Sequence, residues 1–314
     1  MRAYLLRRIL TTVPVLLLST VLVFLVIKLI PGDPVLGLLP PDPRPEQIEA
    51  VRARYGLDRP LYEQYFVWLS HVARGELGFS ITNGWAVSDL LRVKFSVTAQ
   101  LAVVGFLLAL FLALPVGIAS GLRPDGWMGR FMRAYTTLGF AVPSFYSGML
   151  LIVIFGVSLR WLPTSGFRSF FDDPVEALKY VAMPAFTLSI GSSVVLANFL
   201  QTSVREVSRA EYITAAVAKG LPYRTILGKH ILKNACIPLV TVATLQLGAL
   251  FAGAVITESL FGIPGMGRLL IDAIAARDYV VLQGALLFIV AIVIATNLLA
   301  DLLYGWLDPR VSLS

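Results

Sequence analysis

The sequence predicts an all-α integral membrane protein, and three observations carry that prediction. Hydrophobic residues make up 57% of the 314 and charged residues only 14%, against about 25% charged in soluble domains. Apolar runs long enough to cross a bilayer, roughly 20 residues as a helix, recur along the whole chain. Lys and Arg gather at the ends of those runs, which accounts for the net charge of +7 without a nucleic-acid partner.

Six runs are expected to span: Ile9–Ile30, Val97–Leu122, Phe131–Leu159, Val181–Ser203, Ile237–Thr257 and Val281–Leu303. The first follows Arg2, Arg7 and Arg8, as in a signal peptide. Its apolar run is too long for one and no small-x-small cleavage site follows, so it reads as an uncleaved anchor. The expected organisation is an N-terminal anchor helix over 1–30, an extracytoplasmic loop subdomain over 31–95, a five-helix core over 96–307 and a tail over 308–314.

Pro31-Gly-Asp-Pro34 and Pro40-Pro-Asp-Pro43 punctuate the polar 31–95 region. Within it, Glu46–Tyr55 reads as a short helix stopped by Gly56, and Leu61–Ala73 as another opened by Pro60. With the N-terminus inside, short cytoplasmic segments hold thirteen Lys and Arg and short outer loops hold five. Both termini are therefore expected in the cytoplasm.

The spans are nearly free of ionisable side chains. Lys28 and Asp301 sit near span ends, and the middles offer Gln100, Asn198, Gln246, Asn297 and hydroxyls. Ion- or proton-driven carriage needs buried ionisable groups, so a self-sufficient secondary transporter is disfavoured. Each amide reads first as an interhelical hydrogen bond. Pro115, Pro143 and Pro184 read first as bends and second as gating hinges. Cys236 is the single cysteine, so no internal disulfide forms, and His71 and His230 stand far apart with no metal-ligand cluster around them.

The most distinctive stretch is the polar, basic loop between the fourth and fifth spans, 204–236. Ser208-Arg-Ala-Glu211 fits a capping box, so a helix of about ten residues is expected, with Ala210, Ile213, Ala216 and Val217 on one small apolar face. Lys219-Gly220 would end it, glycine suiting the left-handed cap. Pro222 would open a second helix running to about Asn234, set off from the fifth span by Pro238. On these residues alone two readings stand: a docking device for a soluble partner, or an amphipathic hairpin resting on the lipid surface.

The loop resembles the cytoplasmic Glu-Ala-Ala loop of ABC importer permeases, in the form used by the dipeptide/oligopeptide/nickel group. There a stretch like Tyr-Ile-x-Thr-Ala-x-Ala-Lys-Gly-Leu, here Tyr212–Leu221, is followed by a His at the place of His230, Asn-Ala at Asn234-Ala235 and a Pro at Pro238. Five further stretches are similar in the same order: Leu29-Ile-Pro-Gly-Asp-Pro34, Tyr55-Gly-Leu-Asp-Arg-Pro-Leu61, Gly75-x-Leu-Gly78-x-Ser80, Glu258-x-x-Phe-Gly-Ile-Pro-Gly-Met-Gly-Arg268 and Leu307-Asp-Pro-Arg310. The chain departs from the general importer pattern in having Thr214-Ala215-Ala216 for Glu-Ala-Ala, and in a longer interval from Gly220 to Pro238. Both departures are usual in the peptide group.

The resemblance implies the first permease of an inner-membrane importer for di- or oligopeptides, with glutathione, nickel chelates or oligosaccharides as alternative cargo. It implies three kinds of partner besides the lipid bilayer: a second homologous permease, two ATP-binding subunits that hold ATP and Mg, and an extracytoplasmic binding protein. No cofactor is expected in this chain. Walker A needs G-x-x-x-x-G-K-[ST], and the nearest string, Gly228-Lys229-His230, lacks the upstream glycine and the hydroxyl. No nucleophile–base pair or carboxylate dyad stands out, so an enzyme is disfavoured.

By resemblance, Glu211, Tyr212, Ile213, Thr214, Ala215, Ala216, Val217, Lys219, Gly220, His230 and Asn234 form the ATPase-coupling loop. Gly262, Pro264, Gly265 and Gly267 would meet the binding protein, the alternative for that turn being a plain lid. Ser192, Ser193, Asn198, Thr241 and Gln246 are candidates to line the pathway because they are polar at membrane depth.

Overall fold

A computed structural model describes residues 2–29, 43–54 and 58–307. The proline-rich punctuation at 31–42, Gly56 as a helix stop and the 308–314 tail lie outside the described residues.

Helix α1 covers Arg2–Leu29 and passes through Pro14 unbroken. Two short helices follow, α2 over Pro45–Arg54 and α3 over Leu61–Ala73, close to the two expected. Backbone bonds Ser80 N to Trp85 O and Val87 N to Gly78 O then close a tight turn. It delivers the chain into α4, Val87–Leu122, which starts ten residues before the expected span. The missed turns are helical because Val87, Leu90 and Leu91 are buried on one side. Asp89 and Arg92 face outward on the other, which masks the segment from a hydropathy reading. At 36 residues, α4 is about 54 Å long and outruns a bilayer core of about 30 Å.

The third expected span is not a straight helix. Helix α5, Trp127–Ala141, and the segment Ser144–Ser158 meet at 97°. Of that segment, α6 covers Ser144–Leu151, and Ile152–Ser158 continues it as a π-helix. Proline is the cause. It disfavours the helical region for the residue before it, and here Val142 is extended at φ −93° and ψ 118°, whereas the residues before Pro115 and Pro184 stay helical. Pro143 then starts α6 at φ −59°. Among the described residues, five helices are each long and apolar enough to cross a membrane, and the bent pair makes a sixth only as a broken span. Pro115 and Pro184 lie inside continuous helices.

Helix α7, Pro174–Ser208, is the centre of the molecule, with 61% of its most apolar window buried, against 33% for α4. Asp173 caps it, Oδ1 accepting from the N–H of Val175 and of Glu176. Glycines set its approach to α4: a Cβ on Gly117 would come within 2.9 Å of the Ala197 carbonyl, and one on Gly121 within 2.8 Å of Val204. Small residues permit such close backbone packing in membranes.

Next come α8 (Glu211–Ala218), one turn α9 (Tyr223–Thr225), a π-helical stretch Ile226–Leu232, and α10 (Lys233–Leu260). Helices α11 (Met266–Ala275) and α12 (Tyr279–Leu307) complete the fold. Three expectations for this region need correction. Ser208 is the last residue of α7 and its hydroxyl donates back to the Val204 carbonyl, so it does not cap α8, whose N-cap is Ala210 with no side-chain bond. Pro238 does not separate a second loop helix from the fifth span; the helix runs continuously through it from Tyr223 to Leu260. One withdrawn N–H does not stop a helix whose Ala235, Leu239 and Ala243 are buried in the core. Finally, Val217 is 59% exposed and not on the buried face of α8, which is Ile213 and Ala216.

Candidate functional site

Helix α8 is held from beneath. Ile213 and Ala216 enter a core shared with Leu200 and Val204 of α7 and with Ile226, Ile231 and Ala235 on the way into α10. The other α8 residues, Glu211, Tyr212, Thr214, Ala215, Val217, Ala218 and Lys219, are exposed. Gly220 ends the helix at φ +74°, donating its N–H to the Val217 carbonyl at 2.9 Å, and the space beside it is open. The apolar surface around it comprises Tyr212, Val217, Leu221 and Tyr223, with the exposed cations Arg209, Lys219, Arg224, Lys229 and Lys233 alternating nearby. Exposed apolar side chains grouped at one end of a molecule mark a surface for a protein partner or for the membrane.

Three residues singled out in sequence meet here. The Asn234 side-chain amide donates to the His230 carbonyl at 2.9 Å and to the Tyr212 hydroxyl at 3.0 Å. That hydroxyl also lies 3.4 Å from the same carbonyl. His230 thus contributes its backbone, at the end of a π-helical stretch where the regular α-helical bonding is displaced. The result is a polar brace between α8 and the start of α10.

The opposite end of α10, about 38 Å away along its axis, carries a second construction that sequence reading left without a role. Glu258 has no exposed surface. Its carboxylate accepts from Thr98 Oγ1 on α4 at 2.5 Å and from the N–H groups of Gly267 at 2.7 Å and Arg268 at 3.2 Å. Thr98 Oγ1 in turn accepts from the Met266 N–H at 2.8 Å. Glu258 therefore caps α11 from another helix, since three of the amides at the α11 start have no intrahelical partner and favour a negative charge. A Cβ on Gly265 would sit 2.2 Å from the Glu258 carboxylate, and one on Gly267 2.2 Å from Val255 Cα. Both glycines are buried, and internal close packing requires them. Of the turn, Pro264 is exposed and Gly262, at φ +62°, is partly so.

A second carboxylate joins the same end. Buried Asp278 accepts from the Ser80 hydroxyl at 2.6 Å, the Thr82 N–H at 3.2 Å and the Val281 N–H at 3.2 Å. Burial opposes its charge, but the donors from Ser80, Val281, Thr82 and Ile81 outweigh it and hold the carboxyl below its ordinary value. This explains the Gly75-x-Leu-Gly78-x-Ser80 motif: Gly75 and Gly78 take φ +79° and +84° to aim Ser80 at Asp278. The available sequence signal was a carboxylate at the edge of an apolar run, followed by a glycine-rich turn for Glu258 and with no glycine beside it for Asp278.

The remaining candidates scatter. Ser192 and Ser193 are buried in α7, Ser193 paired with the Tyr135 hydroxyl and the Ile190 carbonyl. Asn198 is exposed, and Thr241 and Gln246 are half-buried on α10. The Gln100 carbonyl oxygen accepts from the Phe170 N–H at 2.9 Å, tying α4 to the loop before α7.

Residues 113–313 match the family described as binding-protein-dependent transport system inner membrane component, and residues 1–102 match the N-terminal region of such membrane components. The chain belongs to this family. Among relatives of this permease, a glutathione transport system permease protein of Escherichia coli O6:H1 is 35% identical over 308 residues, 98% of each chain. An oligopeptide transport system permease protein of Bacillus subtilis strain 168 is 33% identical over 314 residues, 99% of each chain. The permease is thus a multi-pass inner-membrane component of a binding-protein-dependent transport system, and its α8 and clasps are features of a transport subunit.

Proposed function

We propose that this permease imports di- or oligopeptides, forming half of a pathway shared with a second homologous permease. The α8 end faces the cytoplasm, with both termini, and two ATP-binding subunits dock on it and supply the ATP and Mg chemistry. A soluble binding protein delivers cargo at the opposite end, where Pro264 and neighbouring turns are available. Ser192, Asn198, Thr241 and Gln246 stay candidates for the pathway. The observation that carries the coupling role is the geometry of α8: an apolar, cation-flanked face left uncovered while its other face is anchored in the core. Cargo rests on the relatives' names. The 35% identity to a glutathione permease favours a second reading, in which the cargo is glutathione or a similar small peptide.

Two experiments test this. Purification of the tagged chain in mild detergent should bring a second permease and ATP-binding subunits with it; the chain alone, transporting after reconstitution, would overturn the proposal. Val217→Glu should leave folding within about 0.5 kcal/mol of the parent, as for surface changes, yet cut ATP-driven uptake by about tenfold or more. Gly220→Pro should also cut uptake while the chain still inserts, here by distorting the end of α8, because proline cannot take φ +74° and lacks the bonded N–H. Normal uptake of di- and tetrapeptides and of glutathione by both variants would remove α8 from the coupling role.

A further inference from the structure

Helix α3 packs across the end of α1 opposite to α8. Lys28 Nζ donates to Gln64 Oε1 at 2.6 Å, Phe24 stacks edge-on against Tyr65 at 5.5 Å and tilted against Trp68 at 5.8 Å, and the Thr20 and Tyr65 hydroxyls are 2.8 Å apart. The crossing therefore centres on Phe24, five residues before α1 ends at Leu29, or about 7.5 Å along the axis. Helices that lie in a membrane interface sit about 5–10 Å deep. At 13 residues, α3 is about 20 Å long and too short to cross.

The apolar arc of α3 is wider than its contact with α1. Tyr65 and Trp68 take the α1 side. Beside them Tyr62, Phe66, Leu69 and Ala73, spaced i, i+4, i+7 and i+11, form a second stripe along one flank. None of the helix is buried, and Phe66 is 64% exposed. By the same spacing Glu63 and Ser70 border the stripe, and exposed His71 lies on the opposite side, where it pairs with Glu76 at 2.7 Å. The membrane span it crosses exposes Leu22, Leu25 and Val26 within the same turns as Phe24.

We propose that α3 is an interfacial helix whose Tyr62–Phe66–Leu69–Ala73 stripe is embedded in the lipid of the leaflet around that end of α1. Tyr and Trp suit this depth, where one part of the ring is apolar and the other wet. The 58–73 stretch thereby belongs to the membrane-facing surface and not to an aqueous loop. It would fix the tilt of α1 and the depth at which the clasps around Glu258 and Asp278 stand. This proposal depends on α1 crossing the membrane and not on the cargo or the partners.

The test uses the whole transporter in liposomes, with Cys236→Ala as background. Phe66→Cys and His71→Cys each carry a bimane label. Lipid bearing a nitroxide near the glycerol should quench the label at position 66 by about twofold, with weak quenching by aqueous iodide. At position 71 the order should reverse. Iodide quenching at both positions with none from lipid would place α3 in water and overturn the proposal. Protection of position 66 from both quenchers would mean that protein covers the stripe and would overturn it equally.

Discussion

A carboxylate with no exposed surface, such as Glu258, has to be matched by donors, because each buried group left unpaired costs about 1–3 kcal/mol. Glu258→Ala strands the Gly267 and Arg268 N–H groups, while the Thr98 hydroxyl keeps the Lys94 carbonyl at 3.3 Å, so we expect a loss of about 3 kcal/mol. Thr98→Val should cost less, since Glu258 keeps two donors. Thermal unfolding midpoints of the purified variants check the order. For Asp278 the surrounding donors favour the charge. A carboxyl held below its ordinary value contributes stability that is complete above the unfolded-state value, about 3.9, and is lost as pH falls through the lowered one. Ser80→Ala removes one donor, so the acid loss should move to higher pH, read as stability against pH in the acid range. Both carboxylates were visible in sequence as residues, and Glu258 even stood in a quoted motif. Their partners, 160 and 198 positions away in Thr98 and Ser80, were not.

At the scale of elements, hydropathy found the apolar middles and misjudged the ends. Helix α4 begins early because one side of its first turns is packed while charges cover the other. The 97° break at Pro143 was legible as a bend but not in size, since proline disfavours one conformation without choosing among the rest. In α8 the 3.6-residue period placed Ile213 and Ala216 on one face correctly. The same period assigned Val217 there, although only the neighbours that α7 and α10 supply decide which part of an apolar arc is covered. A bulky residue at Ala216 would thus disturb the permease's own core, at about 1–3 kcal/mol, whereas Val217 probes the free face. The brace has its own signature. Asn234→Ala should leave ATP-binding subunits attached but lower uptake per ATP hydrolysed by several-fold, because α8 would no longer move as one body with α10. An unchanged uptake-to-hydrolysis ratio would mean that Asn234 only satisfies a carbonyl.

For the whole molecule, composition alone required a membrane, and the distribution of Lys and Arg proposes which way it faces. Accessibility of terminal tags to protease in right-side-out and inverted vesicles decides that orientation. What the sequence determined by itself was the class of fold, the apolar helices and the position of the α8 loop. These depend on local period, run length and glycine's freedom at positive φ, all of which act within a few residues. What the tertiary structure alone decided was which helix is central, which face of α8 is free, and that two distant carboxylates clasp the opposite end. Those outcomes follow from buried polar groups and close backbone packing, whose partners are set by the folded path of the chain.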